Sequence, residues 1–143
     1  IKTDSTSEVI KTQDNKMIVA TYEGLSIYNE EKDCFEVVLD EDNGLMTNMI
    51  YSLDEDKHGN IWLGTDLGAH KISKDFKILE TYGGEEEENS LVEDSVYNMY
   101  CDDKRDLVWI GTANSGVFKL NTKTNELKDV KVRQAILYAL NKY

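Results

Sequence analysis

Along most of this chain, apolar and polar residues alternate over short stretches, and Gly, Asn and Asp punctuate the gaps. Residues 50–53 alternate and predict a strand. Residues 54–59 are polar, with His58-Gly59-Asn60 supplying turn chemistry, and Ile61–Thr65 predicts a second strand. Gly68 marks a tight connection to a third strand at 69–72, and residues 73–77 turn into a fourth, Ile78–Tyr82. The same order returns downstream as 96–100, 108–112, 117–120 and Leu127–Val130, and an earlier set starts near Glu8 and closes at 35–39. The period changes near the C-terminus. Val132, Ile136, Ala139 and Leu140 follow helical spacing among strong helix formers, so an amphipathic helix capped by Asp129 is expected there, covering a sheet face.

The strand sets are copies of one another. Asn43-Gly44-Leu45, Ile50-Tyr51-Ser52-Leu53 and Ile61-Trp62-Leu63-Gly64-Thr65 return as Asn89-Ser90-Leu91, Val96-Tyr97-Asn98-Met99 and Val108-Trp109-Ile110-Gly111-Thr112. The offset is 46 at the Asn and 47 from the Trp onward; a weaker copy, Met17-Ile18-Val19-Ala20-Thr21 with Gly24-Leu25, lies 44 residues upstream. Repeats of roughly 40–50 residues built from short strands mark β-propellers, one four-stranded blade per repeat. The expected fold is all-β: a partial β-propeller of three antiparallel blades over about 1–42, 43–88 and 89–128, then a C-terminal helix over 129–143. Closed propellers need about 4–8 blades. Three blades therefore call for further blades of a longer chain, for the helix as a cap, or for a second copy meeting the end faces through apolar residues that include Ile136, Leu137 and Leu140.

Charge narrows the partners. A formal net charge of -12 disfavours nucleic acid and anionic membrane surfaces, and no apolar run approaches the length of a membrane span. No signal peptide is present in the sequence. Cys34 and Cys101 fall in different repeats without metal-ligand spacing and read as unpaired thiols. The four consecutive carboxylates Glu85 to Glu88 repel one another, which predicts a solvated loop with a calcium site as the lesser alternative.

The string Asn60-Ile61-Trp62-Leu63-Gly64-Thr65-Asp66-Leu67-Gly68, preceded by Gly44-Leu45 and Ser52-Leu53-Asp54-Glu55-Asp56, resembles the two-component regulator propeller repeat. The third copy matches it at Trp109, Gly111, Thr112 and Gly116-Val117, but has Asp106 where a turn Gly is expected; the first replaces Trp by Ile18 and Gly by Ala20. The resemblance implies the extracytoplasmic sensor region of a bacterial signalling protein, whose propeller reads out a ligand, often a saccharide. No histidine kinase, receiver or cyclase motif accompanies it. A shorter stretch, Asp129 to Leu140, is similar to a helix motif of oligopeptide-type solute-binding proteins.

Individual residues can then be given roles. Trp62 and Trp109 are expected to pack between blades, with Gly64 and Gly111 permitting close approach and the hydroxyls of Thr65 and Thr112 bonding turn backbone. Asp56-Lys57-His58-Gly59-Asn60-Ile61-Trp62 resembles the Asp-box turn, in which a carboxylate bonds its own hairpin; the alternation of Asp54 and Asp56 lacks the further ligands a cation loop requires. Catalytic motifs are missing, so no enzyme, metal or cofactor is expected. Propeller geometry brings Thr47-Asn48, Asp66-Leu67, Glu93-Asp94, Ala113-Asn114 and Tyr22-Glu23 to one mouth. Tyr22, Asn48, Asp66, Asp94 and Asn114 are the candidate ligand-binding residues. The expected function is a ligand-sensing module of a two-component or related receptor. The alternatives are an assembly module without small ligand, or a propeller lyase using His70 at the mouth.

Overall fold

The structure is a computed structural model and describes residues 5–83, 91 and 94–130. Three four-stranded antiparallel sheets follow one another, each a meander in chain order. The first holds β1 (Thr6–Lys11), β2 (Met17–Thr21), β3 (Gly24–Asn29) and β4 (Cys34–Leu39). The second holds β5 (Ile50–Glu55), β6 (Ile61–Thr65), β7 (Gly68–Ile72) and β8 (Ile78–Tyr82). The third holds β9 (Val96–Asp102), β10 (Leu107–Thr112), β11 (Val117–Asn121) and β12 (Leu127–Val130). The strand plan read from the alternation is therefore the observed one. Register repeats as well: Trp62 lies opposite Asp54 and Lys71, and Trp109 opposite Tyr100 and Lys119.

Asp129 and Val130 belong to β12, with Asp129 opposite Phe118, so the last strand runs past the boundary expected at 128. The helix expected beyond it, its apolar residues Ile136, Leu137 and Leu140, and the Glu85 to Glu88 loop lie outside the described residues.

Alternation along each strand sends one set of side chains to each neighbouring blade, producing two buried seams. Between the first and second blades, Ile18, Ala20 and Leu25 meet Ile50, Ile61, Leu63 and Ile72. Between the second and third, Trp62, Ala69 and Tyr82 meet Val96, Val108, Ile110 and Leu120. The inner strands β1, β5 and β9 each have one partner within their own sheet, leaving half of their backbone N–H groups to be satisfied elsewhere. In β5 and in β9, a carboxylate of the preceding blade takes one of these groups. Leu53 N donates to Glu8 Oε2 at 2.6 Å, and Cys101 N donates to Asp54 Oδ2 at 2.6 Å.

The hairpin between the first two strands of each blade needs a left-handed residue at one place, and three residue types supply it: Asn15 at φ 66°, Gly59 at 80° and Asp106 at 54°. Asn and Asp tolerate this region better than other side chains. Asp106 thus fills the turn where the repeat expects Gly. Its carboxylate holds Lys57 at 2.7 Å and Lys123 at 2.9 Å, which keep its pKa down at about 2.

Candidate ligand-binding mouth

One end of the molecule collects the turns after the second strands and the segments leading into the inner strands. Backbone bonds tie these pieces together: Asp66 N donates to Met49 O at 3.1 Å, and Ala113 N to Ser95 O at 2.9 Å. The threonine ending each second strand shapes the adjoining turn. Thr21, Thr65 and Thr112 donate to Gly24, Gly68 and Gly116 carbonyls at 3.0, 2.9 and 2.8 Å, and each hydroxyl accepts a turn N–H, from Glu23, Leu67 and Ser115. The role expected of Thr65 and Thr112 thus extends to Thr21.

Three tyrosines cross this end, spanning all three blades. Tyr51 stands edge-on to Tyr22, with centroids 6.2 Å apart, and to Tyr97 at 5.1 Å. Tyr22 is 45% exposed and Tyr97 50%, so the row presents ring surface to solvent. At its centre Asp66 Oδ1 accepts from Tyr51 Oη at 3.2 Å and from Ser95 Oγ at 2.8 Å. Burial, and then the Asp66 carboxylate, hold the Tyr51 phenol above its ordinary pKa, so it remains a donor at neutral pH.

The five candidate residues separate into distinct environments. Tyr22 and Asp66 join through Tyr51. Asp94 and Asn114 pair with each other: Asp94 is buried and accepts from Asn114 N at 3.1 Å, Asn114 Nδ2 at 3.2 Å and Ser115 N at 2.7 Å. Burial alone would raise the Asp94 pKa, but the bonds from Ser115 and Asn114 prevail and lower it. Asp94 therefore spends its acceptors on the β10–β11 turn. Asn48 is drawn aside: its Oδ1 accepts from Glu41 N at 2.7 Å and its backbone N–H donates to Glu41 Oε1 at 3.0 Å, at a single 3-10 turn over Glu41–Asn43.

Sequence reasoning overlooked Tyr51, Tyr97 and Ser95 as site residues. The signal was present, because Tyr51 and Tyr97 occupy the same second position of the inner strand in two copies.

Elsewhere the repeat motif has structural duties. Asp56 Oδ1 accepts from His58 N at 2.9 Å and Asn60 N at 3.0 Å; its Oδ2 accepts from Asn60 Nδ2 and from the Trp62 indole N–H, both at 3.1 Å. Asp102 holds Trp109 Nε1 in the same way at 3.4 Å. In the first blade, Ile18 replaces the indole and Thr12 replaces the aspartate, keeping the turn bond from Lys16 N at 3.0 Å. Trp62 is buried and stacks on Tyr82 at 5.9 Å, with Lys71 Nζ 5.4 Å from its ring. Trp109 lies on the opposite side of its sheet from the seam residues Val108 and Ile110 and is partly exposed.

His70 is not exposed at the mouth. It is fully buried, with Nε2 accepting from Met46 N at 3.3 Å and Nδ1 bonded to Thr81 Oγ1 at 3.0 Å. Both ring nitrogens are engaged, and burial lowers its pKa to about 4. Cys34 is exposed and Cys101 buried, both as free thiols. Among the described residues no group of three or more His, Cys, Asp or Glu is arranged to hold a metal ion, and no helix is long and apolar enough to cross a membrane.

Comparison with known proteins places the motif. The two component regulator propeller family model matches residues 44–67. That segment is similar to the two component regulator propeller repeat. It includes the linker into the second blade, β5, the Asp56 turn and β6. The extracellular domain of a putative hybrid two component system from B. thetaiotaomicron superposes with a TM-score of 0.70 at 17% identity, over 92% of this chain and 17% of that one. A second such domain from the same organism gives 0.62 at 22% identity, over 81% of this chain and 15% of that one. PorZ, an essential surface component of the type-IX secretion system of Porphyromonas gingivalis, gives 0.69 at 16% identity, over 90% and 21%. The chain thus spans about a sixth of the length of the first two structures. No curated protein matches it. At these identities the likeness is one of fold, that of a β-propeller.

Proposed function

We propose that this chain is the ligand-sensing part of a propeller in a bacterial two-component or related receptor, held outside the cytoplasm, and that its mouth binds a saccharide. The exposed row Tyr22–Tyr51–Tyr97 around Asp66 carries this reading. Phenol rings bury the apolar faces of a sugar at small entropic cost, while their hydroxyls and neighbouring oxygens bond its hydroxyls. A site needing only structure would bury these rings, as Trp62 is buried. The regulator repeat at 44–67 and the likeness to extracellular domains of two component systems support the receptor context. Further blades or a second copy would complete the ring.

The test is a glycan array and thermal-shift screen of the full-length protein with Tyr97→Ala and Asp66→Asn as comparisons. Saccharide binding that both substitutions weaken at least tenfold, with the melting temperature preserved, is the expected result. Binding to another protein that ignores both changes would favour the assembly role, to which the likeness to PorZ adds weight.

A further inference from the structure

The segment entering the second blade is tied down by a side chain that the tyrosine row does not include. His70 lies on β7 with no exposed surface, opposite Leu63 and Thr81. Its Nε2 accepts from Met46 N at 3.3 Å, so the single proton of the neutral ring is on Nδ1, which donates to Thr81 Oγ1 at 3.0 Å. Five residues past Met46 the chain reaches Tyr51. Between them, Met49 N donates to Thr47 Oγ1 at 3.2 Å and Met49 O accepts from Asp66 N at 3.1 Å, while Asp66 accepts from the Tyr51 phenol. Residues 46–51 are thus fastened to the β6–β7 hairpin twice, by His70 at one end and by Asp66 at the other. Packing alone does not call for an imidazole at position 70. At the same register the first blade has Ser26, opposite Val19, and the third has Phe118, opposite Ile110. A buried imidazole has two nitrogens to satisfy, and what it gives here is an acceptor for the N–H of Met46, a residue outside any strand.

Resting on the reading of this end as a binding mouth, we infer that His70 is its positioning residue: the neutral ring clasps the segment that carries Tyr51, and a proton on Nε2 lets that segment go. The clasp exists only while the ring is neutral. An imidazolium carries N–H on both nitrogens, so it would meet the Met46 N–H donor to donor. Among the described residues, nothing charged is placed to hold such a proton. The partners of His70 across the sheet are Leu63 and Thr81, the entering segment contributes Met46, and burial is the cause that lowers its pKa to about 4. The carboxylates of the segment and the hairpin are turned to other partners: Glu41 accepts from Asn48 N, and Asp66 from Tyr51 and Ser95. Acid therefore acts on the mouth through a residue that no ligand touches.

The decisive experiment needs no ligand. Hydrogen exchange of the full-length protein is followed from neutral to acid pH, corrected for the intrinsic pH dependence of amide exchange, beside His70→Gln and Thr81→Val. Opening the segment frees the ring to its ordinary pKa of 6.5, so protection over residues 45–50 should fall roughly tenfold per pH unit down to about 4 and then level off. The peptide carrying the Asp66 N–H should follow, while β2 in the first blade stays protected. His70→Gln, whose amide oxygen can take the Met46 N–H without titrating, should remove this slope. Thr81→Val strands the Nδ1 proton and favours the other tautomer, so it should raise exchange over 45–50 already at neutral pH. That variant retains His70 and tests the clasp even where His70→Gln does not fold. A slope that survives in His70→Gln, a loss of protection shared equally by β2, or unchanged exchange in Thr81→Val would overturn the clasp. A glycan array blank for every sugar would overturn the sensing role and leave the exchange result standing.

Discussion

The seam between the second and third blades and the outer side of the third blade are built from the same motif and end in different states. At the seam, Trp62 is buried, stacked on Tyr82 and tied to Asp56. A Cβ added to Gly64 would collide with Ser52 Oγ and stand 2.7 Å from Val96. On the third blade, Trp109 is held by Asp102 as Trp62 is held by Asp56, yet the ring remains partly exposed. A Cβ on Gly111 would meet only Asn98, at 3.6 Å. The motif therefore prepares each blade to receive the next whether or not one is present. Indole orientation is set within a blade, by its own hairpin carboxylate. Burial and the need for glycine are set between blades.

Substitutions at matched positions can break this comparison. Trp62→Ala should cost roughly 3–5 kcal/mol, because it opens a large cavity and strands the Asp56 oxygen. Trp109→Ala should cost about 1 kcal/mol or less in this chain, since a partly exposed side chain loses less burial. Denaturant titration of both variants measures the gap, and equal losses would mean that another element covers Trp109.

Acid should reveal the first seam, where His70 is buried. Its folded pKa, about 4, lies below the ordinary 6.5, so between these values the unfolded chain binds a proton that the folded chain refuses. Stability should fall as the pH drops from about 6.5 and level off below about 4, a loss of roughly 3 kcal/mol from this residue. His70→Gln should remove that component when melting is followed across the range. An unchanged pH profile would place the acid sensitivity elsewhere.

Smaller contrasts sharpen the same point. Gly64→Ala should cost about 1–3 kcal/mol by overpacking against Val96, whereas Gly111→Ala should stay within about 0.5 kcal/mol of neutral. Thr65→Ala, losing a buried bond to Gly68 O, should cost about 1–2 kcal/mol, and the more exposed Thr112→Ala about half of that. Thermal melts of the two pairs suffice, and a Gly111→Ala loss matching that of Gly64→Ala would contradict the open-face description.

The strand plan was legible because period-two alternation and Gly/Asn/Asp turns are local signals, repeated three times in register. The turn role of Asp56 was equally local. Other features were not. That Trp109 is less buried than Trp62 depends on a neighbour the motif does not encode. That Asp94 is consumed by Asn114 and Ser115, while Asp66 holds Ser95, depends on hydrogen-bond partners 20 or more residues apart. His70 illustrates the same limit, since its partner Met46 lies in a linker whose path no periodicity reveals.

The carboxylate ties between inner strands have a consequence for how such chains change over time. Glu8 and Asp54 grip backbone N–H groups of the following strand, and every residue except proline offers one. A latch of this kind makes no demand on the side chains of the strand it holds. A repeat can then be duplicated, deleted or exchanged for a diverged relative without a matching substitution in its neighbour. Drift in the apolar seam, from Ile18 to Trp62, becomes tolerable because alignment of adjacent units does not rest on the seam alone. Lengthening the protein by whole units is accordingly a small genetic step.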